Sequence, residues 1–220
     1  MRRGTCLLVL GLAAAVGCKT VPLGHKLIRA QVDPDGRPMA ILPFLGGESD
    51  TRREHGLWLA MMARQMLQQE FPDLRIVGPK EMNEILPPED MTAVLSGTMA
   101  PLTLGRKLDV KLVVAGRMTR YSVHRDDKLR TWFGTIGFRF GVYDVSGDRA
   151  VRIAHTRDER FSLPEDLGER FHEKYETMSK ETFQAMLFRH GAKKAAQFFY
   201  DHTIPAGRLD RARAIVGTQG

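Results

Sequence analysis

Serine, histidine and cysteine are the side chains in this sequence that could do chemistry, and their spacing limits what that chemistry is. Ser96 stands in Leu95-Ser96-Gly97 without the flanking glycines of a G-x-S-x-G nucleophile elbow. Ser49 and Asp50 follow a short apolar run, a place where hydrolases carry a reactive group. No histidine and acid fall into a recognisable order around either, so both read as a helix entry. His172-Glu173-Lys174-Tyr175-Glu176 opens like a zinc-binding helix, yet the second histidine one turn on is missing. Gly46-Gly47 precedes a helical stretch, where backbone N–H groups attract anions. No Lys-Ser or Lys-Thr follows, and Glu48 and Asp50 would repel a phosphate. His190 falls at helical spacing with Phe183, Met186 and Leu187, as a partly buried structural histidine does. These readings name no catalytic residue, no metal site and no cofactor.

One thiol is placed differently. A basic start, Met1-Arg2-Arg3, leads into the unbroken apolar stretch Cys6 to Val16. That stretch is far short of the roughly 20 residues a bilayer-spanning helix needs. It ends in Ala15-Val16-Gly17-Cys18, where small residues at 15 and 17 fit a protease and the thiol after them can be alkylated. The pattern resembles the lipobox of bacterial lipoproteins. The resemblance implies cleavage before Cys18 and a diacylglyceryl group on its sulfur, with an ordinary secretory cleavage site as the alternative. Two or three acyl chains, at about 0.8 kcal/mol per buried methylene, hold a protein to a bilayer almost permanently. Lys19, where an aspartate would signal retention at the inner membrane, implies by the same resemblance an outer-membrane anchor facing the periplasm.

The chain has two cysteines, Cys6 and Cys18, so the mature body would carry no free thiol, disulfide or cysteine metal site. It must be held by a hydrophobic core, which its length can supply in one domain. The formal net charge is +7, and removing Arg2 and Arg3 leaves +5 (7 − 2). A basic surface attracts anionic headgroups, glycan polymers or an acidic partner; an exported chain meets no nucleic acid. Arg117, Arg120, Arg139, Arg152 and Arg157 fall on strand-like segments, but they do not share one parity and so need not form one patch. A second surface is apolar. Leu57 to Met62 is apolar all round, and Leu59, Ala60, Ala63, Met66, Leu67 and Phe71 suffice for the buried stripe of a helix. Leu57, Trp58 and Met62 are left over, either covered by another element or open to a partner.

These residues need elements to position them. Lys19 to Pro38 reads as a tether, with a strand over Lys26 to Val32 and a turn at Asp33-Pro34-Asp35-Gly36 that would fold it into a hairpin with the next strand. Met39 to Phe44 is a strand buried on both faces. Thr51 and Glu54 form a capping box for a helix to about Phe71, and Leu74 to Gly78 is a second strand, parallel to the first in a βαβ unit. A short helix opened by Pro79 and a helical or irregular crossover from Met91 to Leu108 follow. Asp109 to His124, Thr131 to Val145 and Ala150 to Phe161 alternate as a three-strand antiparallel meander. Trp132, Ile136, Phe138, Phe140 and Val142 share one side, which must face the core, and Gly134, Gly137 and Gly141 mark a bulge or a close approach. Ser162 and Glu165 cap a helical region that breaks near Met178-Ser179 and ends by Pro205.

The order of these segments resembles a group of envelope domains. Met39-Ala-Ile-Leu-Pro-Phe44 is similar to the strand that opens them. Val113-Val-Ala-Gly-Arg117 with Thr119-Arg120-Tyr121 is similar to their central strand, and Tyr143-Asp-Val-Ser-Gly147 to the turn after it. The group comprises the curli-secretion lipoprotein, the penicillin-binding-protein activator lipoprotein and the amino-terminal domain of the TolB protein. The likeness covers about residues 39 to 202 and implies a non-enzymatic protein that binds an envelope partner and sometimes self-assembles. The link from Arg125 to Arg130 is too short for the membrane-crossing hairpins of the curli channel, since a spanning strand takes roughly 9–11 residues.

The sequence therefore reads as α/β: a signal peptide over 1–17, an acylated Cys18 and tether over 18–38, one domain with a mixed sheet flanked by helices over 39–205, and a loose tail over 206–220. The function implied is that of an accessory in secretion, cell-wall synthesis or outer-membrane assembly. The alternatives are an exported hydrolase or ligand-binding enzyme, and a ring-forming secretion subunit.

Overall fold

The computed structural model describes residues 25–46, 50–164 and 175–205. The lipobox Ala15-Val16-Gly17 with Cys18, the tail over 206–220, Ser49, His172, Glu173 and Glu165 lie outside the described residues, as does the side chain of Thr51.

The apolar run becomes β2 (Met39–Ile41), buried at every position. It is flanked on both sides by parallel neighbours. Met39 pairs with Ile76 of β3 (Ile76–Val77) and with Leu112 of β4 (Leu112–Asp126). Between β2 and β3 runs α1 (Asp50–Glu70), the crossover of the expected βαβ unit. Three short helices then carry the chain to β4: α2 (Pro79–Ile85), α3 (Pro88–Ser96) and α4 (Pro101–Leu108). Each opens on a proline, whose missing N–H would have had no helical partner there. Gly97 ends α3 at φ +74°, a left-handed cap that favours glycine.

From β4 the chain doubles back as β5 (Thr131–Asp144), antiparallel along its whole length. The expected third strand is two strands, β6 (Val151–His155) and β7 (Glu159–Leu163), both paired with β5. Thr156 makes the break. Its hydroxyl accepts the Phe140 N–H at 2.9 Å while its own N–H donates to the Phe140 carbonyl at 2.9 Å, so a side chain replaces a rung of the ladder. The main sheet runs β3-β2-β4-β5-β6, with β7 also on β5.

One face of this sheet is closed by α1 and α5 (Lys180–Ala196), around Leu59, Leu67, Phe138, Phe183 and Phe188. Each such side chain contributes about 1.5–3 kcal/mol on burial. Gly134 brings α5 close: a Cβ there would lie 2.7 Å from the Phe183 ring and 2.8 Å from Leu187. The other face is covered by α2, α3 and α4 over the parallel half, where Val77, Val113 and Val145 pack on Met82, Leu104 and Leu108. Residues 29–202 form this compact unit.

Two connections differ from expectation. The turn at 33–36 forms, with Asp35 and Gly36 both at positive φ and the Arg37 N–H donating to Pro34 at 2.9 Å. It does not build a hairpin: β1 (His25–Ile28) pairs with β8 (His202–Pro205) in a separate two-stranded sheet. The last helix accordingly stops at Ala196, well before Pro205. Ser162 is no cap either. It lies in β7 with its hydroxyl 3.0 Å from that of Thr135, and the residue that caps α5 is Ser179, accepting the Thr182 N–H at 3.2 Å.

Candidate functional site

Beyond Val114 no described helix covers the second face of β4 and β5, and the arginines collect there. The period-2 count separates Arg117 from Arg120, but β4 does not keep its period. Met118 pairs with Phe138 and Arg120 with Gly137, so Thr119 is an extra residue, a bulge. One inserted residue reverses parity downstream. Arg117 sits opposite Arg139, and Arg120 opposite Gly137, both on the side away from Phe138. Gly137 admits this: a Cβ there would lie 2.7 Å from the Thr119 hydroxyl and 3.1 Å from the Arg120 Cβ. Arg152 pairs with Tyr143 and Arg160 with Gly137, which adds both to the same face.

Arg117, Arg139 and Arg152 line one shallow cavity of about 500 Å³, with His155, Tyr143 and Thr156 completing its wall. Gly141 leaves room between Tyr143 and Arg152, since a Cβ there would lie 3.2 and 3.3 Å from their side chains. Among the described residues no carboxylate lines the cavity. Asp158 accepts a hydrogen bond from the Thr119 hydroxyl and is reached by Arg160 at 3.3 Å. The Thr119 bond, then Arg160 and Arg139, hold its carboxyl below the usual range. A smaller cavity of about 210 Å³ adjoins the first, sharing Leu45, Ala115, Gly116 and Tyr143. Its remaining wall is mostly apolar, including Leu42, Val94, Met99 and Leu104. Guanidinium groups over one compartment and aliphatic side chains over the next can hold an anionic group beside an apolar one.

The apolar positions of α1 are divided. Trp58 is 47% exposed, its ring edge-on to Phe188 at 6.0 Å. Leu57 and Met62 are half-buried, with Met62 packed on the core, and Met61 rather than Met62 stands open beside Trp58. Ser96 ends α3 with its hydroxyl 3.2 Å from the Ala93 carbonyl and 3.0 Å from Thr98. His190 stacks on Phe161 at 5.2 Å. Among the described residues no three His, Cys, Asp or Glu side chains group to hold a metal, and no helix is long and apolar enough to cross a membrane.

The chain is similar in outline to PelC. The PelC dodecamer from Paraburkholderia phytofirmans is 11% identical with a TM-score of 0.45, over 80% of this chain and 98% of that one. Lipoprotein GNA1162 from Neisseria meningitidis is 11% identical with a TM-score of 0.40, over 73% and 99%. A hypothetical protein from Chlamydia trachomatis is 12% identical with a TM-score of 0.38, over 74% and 96%. No protein-family profile and no curated protein matches the sequence.

Sequence reasoning missed His55. The helix entry around it reads as polar, yet the ring lies 3.9 Å from Tyr121 and 5.3 Å from Phe188, and its buried Nδ1 has no hydrogen-bond partner among the described residues. Burial lowers its pKa from the ordinary 6.5, opposed by Glu54. The unfolded chain therefore takes up a proton first as pH falls through 6.5, and folding stability should decline from there until the folded histidine also protonates. Asp144, lowered mainly by the Ser146 backbone, and Asp158 lose their contribution only around and below 3.8. Thermal midpoints of wild type and His55→Phe between about pH 7 and 5 check this, since the variant should flatten the decline. An unchanged slope would remove His55 as its source.

Proposed function

We propose that this protein is an acylated lipoprotein of the bacterial cell envelope, anchored through Cys18 in the outer membrane, facing the periplasm and acting by binding rather than by catalysis. The observation that carries the reading is Ala15-Val16-Gly17-Cys18 behind a basic start and an apolar run too short to span. The arginine face supports the binding part, because three guanidinium groups on one cavity wall, offset only in part by Asp158, give an anionic group a place to bind. Its partner is an envelope component that meets this face or the Trp58–Met61 surface.

Mass spectrometry of the protein purified from membranes tests the anchor. The expected species begins at residue 18 and carries acyl mass; Cys18→Ser should lose that mass, retain its leader and leave the acylated fraction empty. An unprocessed leader on the wild type, or a processed end without acyl mass, ends the proposal. Density-gradient separation of inner and outer membranes tests the sorting read from Lys19.

A further inference from the structure

Arg117 and Arg139 are direct cross-strand partners, and like charges in that position are destabilising. No carboxylate among the described residues lies within ion-pair distance of Arg117, Arg139 or Arg152. Asp158 offsets part of this charge by its attraction to Arg139, and among the described residues the three guanidinium groups still leave the cavity wall net positive, which an anion can meet. We propose that the two adjoining cavities form one binding site for an amphiphile with a terminal phosphate monoester, its phosphate head among the three arginines and its alkyl chain in the apolar compartment.

The head is assigned from charge and geometry. One bidentate guanidinium balances the single charge of a carboxylate, whereas a terminal phosphate presents three acceptor oxygens and up to two negative charges. Arg117, Arg139 and Arg152, with His155 beside them, supply donors in excess of what one carboxylate can use. The tail is assigned from the wall. Leu45 and Tyr143 border both cavities, so a chain leaving the phosphate passes between them onto Leu42, Val94, Met99 and Leu104. The larger volume alone, about 500 Å³, falls in the range of small-molecule sites. A long polyanion would run on to Arg120 and Arg160 and would leave the apolar compartment unused. The site does not depend on the anchor at Cys18, so failure of either leaves the other standing.

Calorimetric titration of the full chain in a phosphate-free, sugar-headed detergent tests it, with hexyl phosphate as the probe and inorganic phosphate and hexanol as its two halves. Hexyl phosphate should bind at least about tenfold more tightly than either half. Arg139→Gln and Arg152→Gln should each weaken it about tenfold or more, since each removes a charge-assisted bond worth about 1.5–3 kcal/mol. Met99→Trp, which fills the apolar compartment, should weaken hexyl phosphate and spare inorganic phosphate. The melting temperature separates a binding role from a structural one: Arg139→Gln relieves the Arg117 repulsion and should melt no lower than wild type. Equal affinity for inorganic phosphate, binding that survives both arginine changes, or a fall in melting temperature that tracks the lost affinity would each overturn the site. So would a polyphosphate that binds through Arg120 and Arg160 while hexyl phosphate does not bind.

Discussion

Gly56→Ala should leave the protein less stable by more than about 3 kcal/mol, at the top of the range for overpacked interiors or beyond it. Helix propensity predicts the opposite sign, since alanine is favoured over glycine inside a helix by about 1 kcal/mol. The tertiary contact decides. Gly56 lies within α1 where the helix meets the segment leaving β2, and a Cβ there would stand 1.7 Å from the Phe44 carbonyl oxygen and 2.8 Å from its carbon. Both are backbone atoms, so no side chain can swing aside. The Phe44 N–H also donates to the Gly56 carbonyl at 3.2 Å, which ties the two backbones together at this point. To admit a methyl group α1 must lift off, and Leu59, Ala60 and Ala63, all buried, go with it. Typical domains have only about 5–15 kcal/mol in total, so the loss is a large share. Denaturant unfolding of the variant beside wild type reads it directly. A variant as stable as wild type would mean that α1 does not cross Phe44 in this way.

That position also shows where sequence reading stops. The apolar run at Met39, the stripe over Leu59, Ala60, Ala63 and Leu67, and the alternation from Ile136 to Val142 are local signals, and each became the element its period implied. The α/β class and the parallel βαβ unit followed from their order. Gly56 gives no local signal, because its reason is a carbonyl from another segment. His55 is the same case: its burial is made by Tyr121 and Phe188, both distant in the chain. The pairing of β1 with β8 is longer in range still, and the turn at 33–36 pointed to a nearer partner.

The arginine face was half legible. Of the five arginines picked out by type, Arg117, Arg120, Arg139 and Arg152 share this face while Arg157 lies between β6 and β7, and a period-2 count could not show it because it assumes an unbroken ladder. The bulge at Thr119 breaks it, and the one trace of that in the sequence is Gly137 on the facing strand, read as a glycine that marks a bulge or close approach. What that trace could not give was the position of the extra residue. The break at Thr156 was hidden for a similar reason: threonine is a good strand residue, and only the Phe140 amide that it engages turns it into an interruption.

Phe138→Ala and Phe133→Ala, two truncations of the same residue type on the same strand, should differ by about 2 kcal/mol or more. Phe138 is fully buried, edge-on to Phe44 at 5.8 Å and stacked with Phe140 at 6.3 Å. Removing its ring leaves a cavity between sheet and helices that closed packing cannot collapse, at a cost of about 3–5 kcal/mol. Phe133 is half-buried on the opposite face, where it stacks with its cross-strand partner His124 at 5.7 Å. An aromatic pair of that kind contributes about 0.5–1.5 kcal/mol beyond its area. The contrast measures the asymmetry of the meander: one side holds the helices, and among the described residues no helix packs on the other beyond Val114. Denaturation midpoints of the two variants give the comparison. Equal losses would mean that the face around Phe133 is packed as closely as the one around Phe138.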